Sequence, residues 1–183
     1  MVAIGVSTGG PAVLNELLTP LNKNFPYPIV IVQHIAPGFI DGMIDWLSGV
    51  LDIPVKVGHE GEIVQAGTVY FAPDDYHMTV NMSGVIKLKR NLGDAICPSV
   101  SQLFRSVCES YGKNCLPILL TGMGSDGAYE MKLLRDAGAV TIAQHKDSAL
   151  IYGMPAEAVK LQGVTLLLRT PEISDFLLRL EKL

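Results

Sequence analysis

The sequence predicts an α/β fold: a doubly wound, mostly parallel sheet with helices on both faces and an antiparallel hairpin insertion. Three observations predict it. Short apolar runs alternate with stretches of helical periodicity along most of the 183 residues. Several runs are apolar at every position rather than at alternate ones, as strands covered on both faces are. Around residues 65–90 the pattern shifts to short strand candidates, with Ser83-Gly84 fitting a tight hairpin turn.

The elements follow in order. Val2–Val6 is the first strand and stops at Ser7-Thr8-Gly9-Gly10-Pro11. Leu14, Leu17, Leu18 and Leu21 then fall on one helical stripe. Ile29–Gln33 is the second strand and runs into His34-Ile35-Ala36-Pro37-Gly38. Thr68–Ala72, Met78–Met82 and Val85–Lys89 are the short strands of the antiparallel excursion. Val100, Leu103, Phe104, Val107, Cys108 and Tyr111 share a helix face. Leu116–Thr121 is the next strand, followed by Gly122-Met123-Gly124-Ser125-Asp126-Gly127 and a helical segment Ala128–Leu134. Val140–Ala143 and Val164–Leu168 continue the sheet. Thr170-Pro171 reads as an N-cap with proline at the first helical position, opening a helix striped by Ile173, Phe176, Leu177 and Leu180.

Composition narrows the function. The chain is 49% hydrophobic and 17% charged, the balance of a globular domain with a real core, and its length suits one domain, 1–183. No apolar run is long enough to span a bilayer, and no secretory leader pattern opens the chain. The net charge is −4, and no basic cluster exceeds Lys87, Lys89 and Arg90, which argues against nucleic acid as partner. Cys97, Cys108 and Cys115 are odd in number and form no C-x-x-C pair, so a reducing cytoplasm is the expected location and the thiols are expected to be inert. His59, His77 and His145 look scattered, and although Asp74 and Asp75 lie near His77 no metal-ligand spacing is present. Neither a metal nor a cofactor is expected.

Ligands of open α/β sheets bind beyond the carboxyl ends of the strands. Three such ends carry chemistry here: Ser7, His34 and Asp126. A phosphate-binding reading of Gly5-Val6-Ser7-Thr8-Gly9-Gly10 fails twice. Ser7 stands where the second glycine of G-x-G-x-x-G lets the backbone approach pyrophosphate, and the second strand ends Gln33-His34 rather than in the acidic residue a ribose needs. The same stretch satisfies G-x-S-x-G between a strand and a helix. A serine hydroxyl needs a base to become a nucleophile, and His34 sits where one is required. Asp126 would hold the imidazole in the correct tautomer. Each residue has a plainer alternative: G-x-S-x-G is a common pattern, His34 also fits as a strand-end residue, and Asp126 fits as the N-cap of the helix that follows it. The order Ser, His, Asp differs from that of the α/β-hydrolases. Oxyanion donors or supports are expected from the turn after Ser7, at Thr8, and from Gly122 and Met123, with the Met123 side chain packing against the site. A serine esterase or thioesterase of small molecules, and a non-catalytic nucleotide-binding regulatory module, are the rival readings.

Ile4-Gly5-Val6-Ser7-Thr8-Gly9-Gly10-Pro11, Val32-Gln33-His34-Ile35-Ala36-Pro37-Gly38-Phe39, Tyr70-Phe71-Ala72-Pro73, Pro98-Ser99-Val100, Leu120-Thr121-Gly122-Met123-Gly124-Ser125-Asp126-Gly127-Ala128 and Gly153-Met154-Pro155 together resemble the catalytic domain of the chemotaxis protein-glutamate methylesterases of the CheB type. The resemblance implies hydrolysis of glutamate γ-methyl esters on the cytoplasmic helical bundle of chemoreceptors, with release of methanol, and deamidation of particular receptor glutamines. It carries the triad onto Ser7, His34 and Asp126 and an oxyanion N–H onto Met123. It also implies an N-terminal receiver domain, which this sequence lacks. The family commonly has basic residues before P-S-V, an acidic residue after it, and G-M-P-R-E-A. Here Ala95-Ile96-Cys97 precede, Ser101 follows, and Ala156 replaces the arginine. These departures bear on receptor contacts and on the balance of deamidation to demethylation.

Overall fold

In the computed structural model, which describes residues 1–180, the run Val2–Val6 is buried at all five positions and forms β1 at the centre of the sheet. Strand β2 (Ile29–Gln33) lies beside it on one flank, with β4 (Val69–Phe71) and β3 (Val55–Val57) beyond; β7 (Leu116–Leu119), β8 (Ile142–Gln144) and β9 (Leu166–Leu168) extend the other flank. All seven strands are parallel, in the order β3-β4-β2-β1-β7-β8-β9.

Side chains alternate across β1, so each face builds its own core. Val2, Ile4 and Val6 point into one, with α1 (Gly10–Leu18), α2 (Ile40–Val50) and α6 (Thr170–Leu180). Ala3 belongs to the other, with α3 (Val100–Tyr111), α4 (Ala128–Asp136) and α5 (Met154–Lys160). The helices change face because the strand order reverses at β1. Right-handed crossovers leading in opposite directions must pass on opposite sides of the sheet. The crevice between the carboxyl ends of β1 and β7 is therefore the switch point, where ligands of such sheets bind.

The antiparallel insertion is a two-stranded sheet, β5 (Tyr76–Val80) and β6 (Ile86–Arg90), packed on α3. Two expectations about this region need correcting. The run at Thr68–Ala72 forms no part of the insertion: β4 pairs in parallel with both β2 and β3, and β3 had no distinct sequence signal, being three half-buried residues at the sheet edge. The hairpin also closes through a longer turn than Ser83-Gly84. Asn81 Oδ1 accepts from the N–H groups of Ser83 and Val85, so an asparagine side chain organises residues 81–85 and shifts both strands by one or two residues. Helix α3 then covers the free edge of β5. Val80 N–H donates to Ser106 Oγ at 3.1 Å and Ser110 Oγ donates to Val80 O at 3.0 Å. No helix of the described residues is long and apolar enough to cross a membrane.

Candidate active site

The nucleophile turn is built by close approaches. Ser7 N–H donates to Thr121 O, tying the end of β1 to the end of β7 at 2.9 Å. Gly10 N–H closes the turn onto Ser7 O at 2.9 Å. Gly9 has φ 83° and ψ 0°, the values for the third residue of a type II turn, which an L side chain adopts only with strain. Gly5 and Gly122 serve space rather than conformation, and Gly127, at φ 84°, serves both. A Cβ on Gly5 would stand 2.2 Å from Val100 Cγ1, and one on Gly127 would stand 2.4 Å from the same atom. These two glycines let the N-terminus of α3 sink against the sheet. A Cβ on Gly122 would meet Ser7 Cβ at 2.6 Å, so this glycine brings the loop after β7 onto the serine.

His34 reaches the same place by register. Val6 pairs with Gln33, and His34 N–H continues the ladder onto Val6 O at 2.9 Å. Ser7 and His34 are thus the next rung of two parallel strands about 4.8 Å apart, on the face that α3 covers. His34 Nε2 lies 2.9 Å from Asp126 Oδ2. No hydrogen bond joins Ser7 to His34 among the described residues, and such bonds often tighten only with substrate bound.

The sequence suggested Asp126 as N-cap of its own following helix. That helix instead begins after Gly127, with no side-chain cap, and Asp126 caps the start of α3. Its Oδ2 accepts from Val100 N–H at 2.6 Å, and its Oδ1 accepts from Ser101 N–H at 2.9 Å and from Ser99 Oγ at 3.0 Å. Ser101 Oγ returns the link by accepting from Gly127 N–H at 2.8 Å. Ser101, one of the departures from the family pattern, therefore stitches the carboxylate loop to α3. The neighbouring turns are braced by Arg105 on the buried Glu130, 2.7 Å apart.

Burial alone would raise the pKa of Asp126. Hydrogen bonds from His34, Ser101 and Val100 outweigh it and hold the carboxyl down at about 2. An ionised carboxylate only accepts, so Nε2 carries the imidazole proton and Nδ1 keeps the free lone pair. This reverses the ring assignment of the Ser-His-Asp template, in which Nδ1 faces the carboxylate. It also has a stability consequence. An unfolded aspartate titrates near 3.9, so the depressed folded value stabilises the native state at higher pH. That contribution fades as pH falls through about 4 toward 2. A shift of about 2 units corresponds to roughly 2–3 kcal/mol. The melting temperature of the wild type is expected to fall more between pH 5 and pH 2 than that of Asp126→Asn, which has no carboxyl to titrate there. Equal falls would contradict the assignment.

Three supports escaped the sequence reading. Buried Gln33 donates from Nε2 to Ser7 O at 2.9 Å and to His34 O at 2.8 Å, clasping both strand ends. Thr121, fully buried, donates through Oγ1 to Thr8 O at 2.9 Å and accepts there from Ile151 N–H at 2.9 Å. Gln144 Oε1 accepts from Thr121 N–H at 2.7 Å while its Nε2 reaches Ser148 and Thr170. The one available signal was a polar residue ending an otherwise apolar strand, at Gln33 and again at Gln144.

The expected oxyanion elements divide. Gly122 N–H is bonded to Ile151 O at 3.0 Å, which makes Gly122 a support. The N–H groups of Thr8 and Met123 have no partner among the described residues. The Met123 side chain does not pack against the site as expected; it is 73% exposed. His77 is buried with Nε2 2.8 Å from Asp94, and Asp74 accepts from Gly38 N–H at 2.6 Å, so these residues serve the framework. No group of three or more His, Cys, Asp or Glu among the described residues is arranged to hold a metal. Burial raises the thiol pKa values of Cys97 and Cys108 and pushes that of Cys115 up to about 11, which makes all three poor nucleophiles.

The fold and this constellation define a class: a doubly wound α/β domain carrying a serine, a histidine and an ionised carboxylate at the switch point of its sheet. The chain belongs to the CheB methylesterase family, whose model matches residues 2–177. It is 48% identical over 181 residues to the "Protein-glutamate methylesterase/protein-glutamine glutaminase 1" of Syntrophus aciditrophicus, and 46% identical over 178 residues to a protein of Hahella chejuensis with the same description, numbered 3. These alignments cover 98% and 97% of this chain but 52% and 51% of the relatives, so the chain spans about half their length. The crystal structure of the Thermotoga maritima CheB methylesterase catalytic domain superimposes with a TM-score of 0.91 at 33% identity, covering 98% of this chain and 97% of that one.

Proposed function

We propose that this chain is a protein-glutamate methylesterase domain that works in the cytoplasm on the helical bundles of methyl-accepting chemoreceptors. It hydrolyses glutamate γ-methyl esters to glutamate and methanol, and deamidates particular receptor glutamines. The observation that carries the reading is the His34–Asp126 pair, 2.9 Å apart, with His34 opposite Ser7 on the rung after Val6 and Gln33. A receiver domain is proposed to account for part of the length that the relatives have beyond this chain.

In this mechanism Ser7 Oγ attacks the ester carbonyl as His34 Nδ1 takes its proton. The tetrahedral oxyanion is stabilised by the N–H groups of Met123 and Thr8. His34 then protonates the departing methanol, and water repeats the sequence on the acyl-enzyme. Asp126 keeps the proton on Nε2 and stabilises the imidazolium that forms.

A polypeptide substrate is supported by the similarity to relatives described as protein-glutamate methylesterases. One cavity of about 330 Å³ sits at the opposite end of the sheet, lined by Met1, Tyr27 and Cys115. Another of about 390 Å³ lies between α3 and the β5–β6 hairpin, lined by Thr79, Lys89 and Arg105. Neither of these two is lined by Ser7 or His34, and the second reaches Ser101, whose N–H donates to Asp126. A small-molecule esterase would instead enclose its ligand at the nucleophile. Contacts remote from the ester can then be used to lower the barrier. A methylated receptor fragment is expected to be hydrolysed with kcat/KM at least ~10²-fold above free glutamate γ-methyl ester, about 2.7 kcal/mol of transition-state binding. Side-by-side kinetics at one salt concentration test this. Equal efficiency on both would transfer the assignment to a small-molecule esterase.

A further inference from the structure

Two exposed apolar side chains stand on fixed backbone beside Ser7. Met123 is 73% exposed and Leu150 is 69% exposed. Single apolar residues on a surface are ordinary, but these two belong to one structural unit. Gly122 forms a parallel bridge with Tyr152, Gly122 N–H donates to Ile151 O, and Ile151 N–H is held by Thr121 Oγ1. The segments carrying Met123 and Leu150 are therefore laced together at the backbone. Both segments also abut the nucleophile turn. A Cβ on Gly9 would stand 2.9 Å from Leu150 Cβ and 3.0 Å from its Cδ2, so Leu150 rests on the residue that gives the turn its positive φ. Met123 follows the glycine that approaches Ser7 Cβ. Neither side chain belongs to the buried cores, and neither is needed to shape the turn, whose geometry is held by backbone hydrogen bonds.

The chemistry of the substrate gives such a pair a use. A glutamate γ-methyl ester presents a methylene stem and a terminal methyl group, and is neutral. Its product is a carboxylate, which loses hydration against apolar surface. We propose that Met123 and Leu150 are specificity-determining residues, an apolar clip beside Ser7 that seats the stem and methyl group of the ester-bearing side chain on a helical polypeptide. The clip favours the neutral ester over the charged product and so helps product leave. This rests on the esterase reading above.

The test compares two substrates, a methylated chemoreceptor cytoplasmic fragment and p-nitrophenyl acetate, across wild type, Leu150→Asn, Leu150→Met and Met123→Gln. The measured quantity is the ratio of kcat/KM on the receptor fragment to that on p-nitrophenyl acetate. Contacts of a methylene or two discriminate by about 10-fold or more. The ratio is expected to fall about tenfold in Leu150→Asn and Met123→Gln and to recover in Leu150→Met, which restores an apolar chain of similar length. A merely structural role would lower both activities together and leave the ratio unmoved. An unmoved ratio in both polar variants would overturn the clip while leaving the esterase reading intact. A wild type that hydrolyses p-nitrophenyl acetate but not the receptor fragment would overturn the receptor-methylesterase reading itself and leave a small-molecule esterase.

Discussion

Ser7→Ala is expected to fold as the wild type does and to lose about 10⁴-fold or more in kcat on any ester substrate. The two halves of this expectation have separate causes. The fold uses the backbone of residue 7, through its N–H on Thr121 O and its carbonyl on Gly10 N–H and Gln33 Nε2. Alanine keeps all three bonds and fits the same extended strand end. Catalysis would use only Oγ, which alanine lacks. What turnover remains would come from the oxyanion donors and from binding. The measurement is steady-state kinetics on the purified variant, with circular dichroism and a melting curve to establish folding. Near-wild-type turnover by a folded Ser7→Ala protein would end the nucleophile assignment.

Asp126→Asn is expected to lose about 10⁴-fold in kcat as well, and here the structure changes what the experiment reads. From sequence, asparagine is a nearly isosteric cap, so a purely structural aspartate should tolerate it. The observed carboxylate uses both oxygens. Oδ1 takes Ser99 Oγ and Ser101 N–H; Oδ2 takes Val100 N–H and His34 Nε2. An amide has one oxygen. If that oxygen stays with Ser99 and Ser101, the NH₂ group faces Val100 N–H and the protonated Nε2, donor against donor. His34 then relieves the clash by moving its proton to Nδ1, the nitrogen that must be free to act as base. Val100 N–H stays unpaired, at about 1–3 kcal/mol for a buried donor. Stability and activity should therefore fall together. Kinetics corrected for the folded fraction separate the two effects. Wild-type kcat in that fraction would leave Asp126 as a cap for α3 and nothing more.

Much of the frame is legible in the sequence. The central strand Val2–Val6, the run Ile29–Val32 of its neighbour and the strand at Leu116 are continuous apolar runs, and the structure buries them on both faces. The turn at Ser7–Gly10 announces itself by composition. Serine, histidine and aspartate each follow directly on a strand or lie in the loop that closes it, so one edge of the sheet was enough to draw them together. Such features are local: burial on two faces, a positive φ and a strand end are each written in a few adjacent residues.

Other features depended on residues distant in the chain. Thr68–Ala72 reads as a short strand in either setting, and only its pairing with β2 and β3 makes β4 parallel. G-x-S-x-G suggested glycines that ease a sharp turn, yet Gly5 is small because Val100, 95 positions later, packs onto it. Asp126 lies two residues before a helix and caps a different one. The contact of His34 Nε2 with its Oδ2 decides which imidazole nitrogen is protonated. Sequence by itself determined the alternating α/β order, the buried central strands and the three candidate residues at strand ends, because periodicity and turn chemistry act over a few neighbouring residues. Tertiary structure alone decided how close α3 comes to Gly5, which helix end Asp126 serves and which nitrogen of His34 is free, because each depends on groups far apart in the chain meeting at hydrogen-bond or contact distance in a close-packed interior.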